Sequence, residues 1–169
     1  MFESAMRLGR IGWVALVFFY LRLVFLAILT RFHPCTMSSV FTEISGGLNA
    51  PAGFLAGSIY CGIKATNPDK PDICMIVSEV PAVAAGTFTT NKVKAAPVRV
   101  SRANLRWADE VRAIVANAGN ANACTGISGI ETAKRMTSAA AKGLGLKSRQ
   151  ILVCSTGRIG VQLPIEKME

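Results

Sequence analysis

The alternation of apolar and polar residues changes character near residue 37. Residues 11–29, IGWVALVFFYLRLVFLAIL, are apolar throughout except for Arg22 and Tyr20, a length that suits a membrane span. Arg7 and Arg10 precede this stretch, as basic residues precede a signal peptide or signal anchor. A central arginine costs about 2.5–3.5 kcal/mol on insertion scales, and no small-x-small cleavage pattern follows. Met37 then opens MSSVFTEISGG, which reads as an ordinary soluble N-terminus. Three readings of residues 1–36 stay open: an upstream, misassigned start, a signal or membrane anchor, and a buried helix. The expected organisation is an apolar extension over 1–36 and a folded unit over 37–169.

From residue 37 onward the pattern is that of an α/β domain. Gly46, Gly47, Pro51 and Gly53 mark a turn-rich entry. Residues 57–64 read as a short strand, and residues 67–71, with two prolines, as a polar turn. Residues 72–80, DICMIVSEV, are a strand candidate that Pro81 ends. Residues 85–90 and 97–100 read as further extended pieces. Residues 111–116, VRAIVA, read as a buried strand that runs into a loop over 117–122. A helix follows: Ser128 and Glu131 have capping-box spacing. Ile130, Ala133, Met136, Thr137, Ala140, Ala141 and Leu144 share one face at helical period. Gly143 and Gly145 supply its stop. Residues 150–154 form the last expected strand, with Ser155, Thr156 and Gly157 as the turn at its end.

Composition narrows the chemistry. The formal net charge is +9, from 19 Lys+Arg against 10 Asp+Glu. The bases are scattered with no run of five or six, and aromatics for base stacking are sparse after residue 40. The charge is therefore read as background, and no nucleic-acid partner is expected. Cys35, Cys61, Cys74, Cys124 and Cys154 show no C-x-x-C spacing and read as reduced, mostly buried thiols. The single histidine, His33, lies in the apolar extension. A histidine-based triad or His-ligated metal site is accordingly not expected.

Three polar constellations remain. Ser155-Thr156-Gly157-Arg158-Ile159-Gly160 follows a strand, where free amides make an anion or oxyanion cradle, although short Thr-Gly turns are common. Residues 117–126, NAGNANACTG, lie between a strand and a helix. They either organise a site through side-chain amides or form a self-bonded turn. Cys124 has no nearby histidine to activate it and reads as a structural thiol. Residues 86–97, GTFTTNKVKAAP, offer Thr87, Thr89, Thr90, Asn91, Lys92 and Lys94 to a polar substrate or, by default, to solvent.

Taken in order, these segments resemble the ornithine acetyltransferase family, the bifunctional glutamate N-acetyltransferase/amino-acid acetyltransferase of arginine biosynthesis. The matching stretches are GGLNAPAGF at 46–54, GIK at 62–64, DICMIVSEVPAVAAGTFTTNKVKAAPV at 72–98, RAIVANAGNANACTG at 112–126 and ILVCSTGRIGVQLP at 151–164. Arg158 stands where the family usually has Val, and Ala118 where Ser is common. Residues 1–36 have no counterpart in the resemblance.

The resemblance implies a layered αββα sandwich of the ornithine acetyltransferase and self-processing aminopeptidase type, incomplete in this chain. It implies covalent transfer of acetyl from N-acetylornithine to glutamate, with acetyl-CoA a further donor in some members and no bound cofactor or metal. The nucleophile would be a threonine freed by self-cleavage and activated by its own amine, which lies beyond Glu169. This chain would supply the oxyanion hole, Thr156 and Gly157. The implied assembly is a cytoplasmic α2β2 heterotetramer, with the β chain of the same precursor as partner. A membrane is involved only if residues 11–29 are an anchor. Two alternatives stand beside it: a catalytically inactive truncated fragment, and a related self-processing aminopeptidase.

Overall fold

The computed structural model describes residues 44–64 and 68–169. The expectations for residues 1–36, including the anchor at 11–29 and Cys35, lie outside the described residues. Residues 45–169 form one compact unit. Its four strands are β1 (Phe54–Ile59), β2 (Ile73–Ala82), β3 (Val111–Asn120) and β4 (Ile151–Arg158), and its two helices are α1 (Ala96–Trp107) and α2 (Gly126–Leu144). The sheet order is β1-β2-β3-β4, antiparallel between β1 and β2 and between β2 and β3, and parallel between β3 and β4. A parallel pair requires a crossover, and α2 provides it.

Burial along β3 alternates strictly from Val111 to Asn117, which is the period-2 signature of a sheet with one covered face. Val111, Ala113, Val115, Ile151 and Val153 point into the core. All of these except Val111 join Ala96 and Val100 of α1 and Ala133, Met136, Ala140 and Ala141 of α2 in one cluster. Small residues let the helices approach closely, and Met136, 1% exposed, fills the remaining space. Ser101 on α1 donates its hydroxyl to the Val153 carbonyl at 2.7 Å and accepts the Val153 amide at 2.8 Å, which fixes α1 to β4. Asn104 adds bonds to the Ser148 and Ile151 carbonyls. The opposite face carries the registered rows Ala56–Ile76–Ile114–Leu152 and Ser58–Cys74–Ala116–Cys154, and no described element covers it. The described residues thus form one sheet and one helical layer, the αβ half of the expected αββα layering.

Several expectations shift. The first strand is residues 54–59, not 57–64. Pro81 does not end β2, which continues to Ala82 past an irregularity between Val77 and Ala82. There Arg112 donates to the carbonyls of Ser78 (3.0 Å) and Glu79 (2.9 Å), so a proline that removes a ladder donor is tolerated. Residues 85–90 adopt no regular structure. Residues 97–100 are helical, not extended: Pro97 occupies the first turn, where its missing N–H costs no bond, and Ala96, Pro97, Val100 and Ser101 are buried at helical spacing. The valine–arginine alternation imitates a strand locally, and burial against β4 overrides it. The helix α2 begins at Gly126 with no side-chain cap, so Ser128 and Glu131 form no capping box. Its end agrees with expectation at Gly145, which takes φ 66°. Gly143 remains inside the helix, and Leu144 is 37% exposed.

One buried carboxylate joins the edge of the sheet to its centre. Asp72, 1% exposed, accepts the amides of Cys61 (2.8 Å) and Lys64 (2.9 Å). Its own amide donates to Ile59, and its carbonyl accepts the Ala118 amide. Burial by itself would raise the Asp72 pKa, but the amides outweigh it and hold the carboxyl at about 2. The neighbouring Cys61 thiol is pushed up to about 11, by burial first and by Asp72 second, and stays protonated at neutral pH. The folded state favours ionised Asp72, so its contribution is complete above the unfolded value of 3.8 and is lost as pH falls toward 2. Asp72→Asn is expected to lower stability at neutral pH by about 2 kcal/mol and to flatten the loss between pH 4 and pH 2. Urea midpoints measured across that range check this, and an unchanged pH profile refutes it.

Candidate active site

The two residues expected at an oxyanion hole, Thr156 and Gly157, stand near the C-terminal end of β4, both exposed. They belong to the strand itself rather than to a turn after it. Thr156 pairs with Ala118 and Gly157 with Gly119, and the ladder becomes irregular at Asn120. Alternation from Leu152 and Cys154 places Thr156 on the uncovered side of the sheet.

Gly157 has φ 134°, a conformation that side-chain-bearing residues rarely adopt. A Cβ there would lie 2.5 Å from the Asn120 nitrogen and 2.7 Å from the Gly119 oxygen. The ends of β3 and β4 therefore meet backbone against backbone, and only glycine fits between them. Behind this contact, Gly119 rests on the side chains of Ile63 and Lys64, the segment that Asp72 holds.

Residues 117–126 are a self-bonded structure. Asn117 Nδ2 donates to the Asn120 carbonyl at 2.8 Å. Asn120 Nδ2 donates to the carbonyls of Val161 (3.0 Å) and Gln162 (3.2 Å), while its Oδ1 accepts the Asn122 amide at 2.8 Å. Asn122, fully buried, donates to the Gly129 carbonyl at 2.8 Å and accepts the Thr125 hydroxyl at 2.7 Å. Gly129 must lack a Cβ, which would collide with Thr125 Oγ1 and lie 2.5 Å from Asn122 Oδ1. Residues 117–120 extend β3 instead of forming the expected loop, and the Nδ2 groups of all three buried asparagines donate within the segment and its neighbours. The chain of bonds clamps residues 160–162, which follow β4: the Ala121 amide donates to the Arg158 carbonyl and the Gly160 amide to the Ala123 carbonyl. Asn120 and Asn122 thus position the end of β4, a role that spacing alone does not reveal. Asn117 Oδ1 and Ser155 Oγ, in registered positions, are buried without a hydrogen-bond partner among the described residues.

The remaining candidates separate. Thr89 and Asn91 cap an exposed turn through the Asn91 and Val93 amides. Lys92 and Lys94 line a cavity of about 410 Å³ with Arg99, Cys124 and Thr125. Cys74, Cys124 and Cys154 are exposed, not buried. Cys124 takes φ 56°, and the other two stand on the open sheet face. Arg158 is exposed beside Gly157. Among the described residues no group of three or more His, Cys, Asp or Glu could hold a metal ion.

Two solved structures share this fold. The structure matches the arginine biosynthesis bifunctional protein ArgJ of Bacillus halodurans with TM-score 0.68 and 36% identity, covering 73% of this chain and 63% of that one. It matches ornithine acetyltransferase of Mycobacterium tuberculosis, solved with ornithine, with TM-score 0.68 and 40% identity, covering 72% and 65%. These matches define an ornithine acetyltransferase type of fold. The ArgJ family model matches residues 55–169, and the chain belongs to that family. Curated relatives include the bifunctional ArgJ proteins of Dehalococcoides mccartyi, 45% identical over 132 residues, and of Clostridium acetobutylicum (ArgJ 1), 53% identical over 115 residues. These alignments cover 78% and 68% of this chain but 32% and 28% of the relatives, so the chain spans about a third of their length.

Gly157→Ala is expected to cost about 2–4 kcal/mol, since the obstructing atoms are backbone and cannot rotate away. Denaturant unfolding of the variant measures this, and a wild-type midpoint contradicts the close approach.

Proposed function

We propose that this chain supplies the oxyanion hole of an arginine-pathway acetyltransferase that moves acetyl from N-acetylornithine to glutamate. The observation that carries the reading is Gly157, held at φ 134° with its backbone against Gly119 and Asn120. Such packing fixes the amides at the end of β4 before substrate arrives, and preorganised donors of this kind stabilise developing negative charge without reorganising. Thr156 adds a hydroxyl beside them on the open side of the sheet. Family membership and the ornithine-bound structure of a relative support the substrate class.

In this reading the nucleophile is a threonine freed by self-cleavage, at the start of the β chain of the same precursor. Its hydroxyl attacks the acetyl carbonyl of N-acetylornithine while its own α-amine takes the proton. The tetrahedral oxyanion rests against Thr156 and Gly157. Ornithine leaves as the amine with a proton returned to it, and the α-amine of glutamate then attacks the acetyl-threonine ester. No metal or bound cofactor is required. The β chain would pack on the open face of the sheet in an α2β2 assembly, completing the αββα layering. The place of action is the cytoplasm. Among the described residues no helix is long and apolar enough to cross a membrane.

The test is to assemble the chain with a β chain carrying the N-terminal threonine and to compare wild type with Thr156→Ala. The substitution is expected to lower kcat by about 10²–10³-fold, the usual effect of removing one oxyanion donor. KM and the unfolding midpoint should change little, because Thr156 is exposed. A wild-type kcat refutes the role.

A further inference from the structure

Cationic side chains that are scattered in sequence come together on one face. Arg99, Arg102 and Arg106 stand at helical spacing on the outer side of α1. Lys92 and Lys94 come from the preceding segment, Lys134 from α2 and Arg149 from the turn before β4. They line three adjoining cavities of about 410, 490 and 350 Å³, all of which share Arg99. No Asp or Glu lines any of the three. Arg135, which lies outside this lining, is paired with Glu166 and Glu169. Trp107, 69% exposed, closes one end, with the Arg106 guanidinium 5.1 Å from its ring centroid.

Like charges held together without counter-charges repel one another, and a multivalent anion removes that repulsion. Arginine forks match phosphate oxygens two at a time. The volumes lie in the range of small-molecule sites, about 300–1,000 Å³. The surface is divided into concave compartments, so a compact chain of phosphates follows it better than a flat membrane does. The exposed face of Trp107 offers a stacking platform for a planar base.

We propose that this face binds the polyphosphate group of a nucleotide, with Arg99 and Arg102 as the principal phosphate contacts and Trp107 against the base. The site is separate from the open sheet face that carries Thr156.

Isothermal titration of the 169-residue chain with ATP, and separately with inorganic tripolyphosphate, tests this at physiological salt. Saturable binding of both is expected. The double variant Arg99→Ala/Arg102→Ala should weaken it about tenfold or more. Lys70→Glu, which changes net charge by the same two units on the distant turn before β2, should leave it unchanged. ATP binding tighter than tripolyphosphate places the base on Trp107, and Trp107→Ala should then abolish the difference. Equal binding of the two retains the phosphate site and removes the base from the assignment. Absence of saturable binding, or an equal loss in Lys70→Glu, overturns the proposal. Tighter binding of a short DNA duplex or of anionic phosphatidylserine vesicles overturns it too, since the face would then serve a macromolecule or a membrane.

Discussion

The architecture depends on the close approach of two backbones at the end of the parallel β3–β4 pair. Parallel strands cannot be joined by a tight turn, so the chain must leave β3, cross through α2 and return. What brings the two strand ends into contact is the missing side chain at Gly157, which lets β4 settle against Gly119 and Asn120. The same contact leaves Thr156 and Gly157 exposed at the end of β4. Stability and site geometry are therefore governed by one feature.

Support for that contact arrives from two directions. From the sheet edge, Asp72 binds the amides of Cys61 and Lys64 and so fixes Ile63 and Lys64 behind Gly119. A carboxylate is well suited here, because it accepts several amides at once and remains charged while buried. From the helix side, the buried asparagines pass bonds from Asn117 to Asn120, Asn122, Thr125 and Gly129. An asparagine both donates and accepts, so each member can satisfy the loop backbone while clamping residues that follow β4. The helical layer is tied in through Ser101, whose hydroxyl occupies both the donor and the acceptor position of Val153.

Much of the fold was legible where burial has a simple period. The core strands at 72–80, 111–116 and 150–154 announced themselves through continuous apolar runs, and α2 through its small-residue face and its Gly145 stop. The helix α1 was hidden because Val98, Arg99, Val100 and Ser101 alternate like a strand, and only contact with β4 and α2 selects the helical alternative. The ends of β3 and β4 were hidden because Asn, Gly, Ser and Thr favour turns locally. In the folded protein those residues extend the strands, since backbone pairing across the parallel ladder satisfies their amides. The expectation of buried cysteines failed at 74 and 154 because the face they occupy has no covering layer among the described residues.

The sequence by itself determined the family, the α/β class and the identity of the oxyanion candidates, because these rest on local residue order: apolar runs, a glycine after a Ser-Thr pair, and motifs in fixed succession. Tertiary structure alone decided which asparagines face inward, why position 157 tolerates no side chain, and how the positive charge is distributed. In one dimension the lysines and arginines form no run and read as background. Once the 92–94 segment, α1 and α2 come together, residues as far apart as Lys92 and Arg149 line neighbouring cavities that carry no carboxylate in their lining. Electrostatic fields depend on distance through space rather than along the chain, so folding is what turns scattered charge into a site.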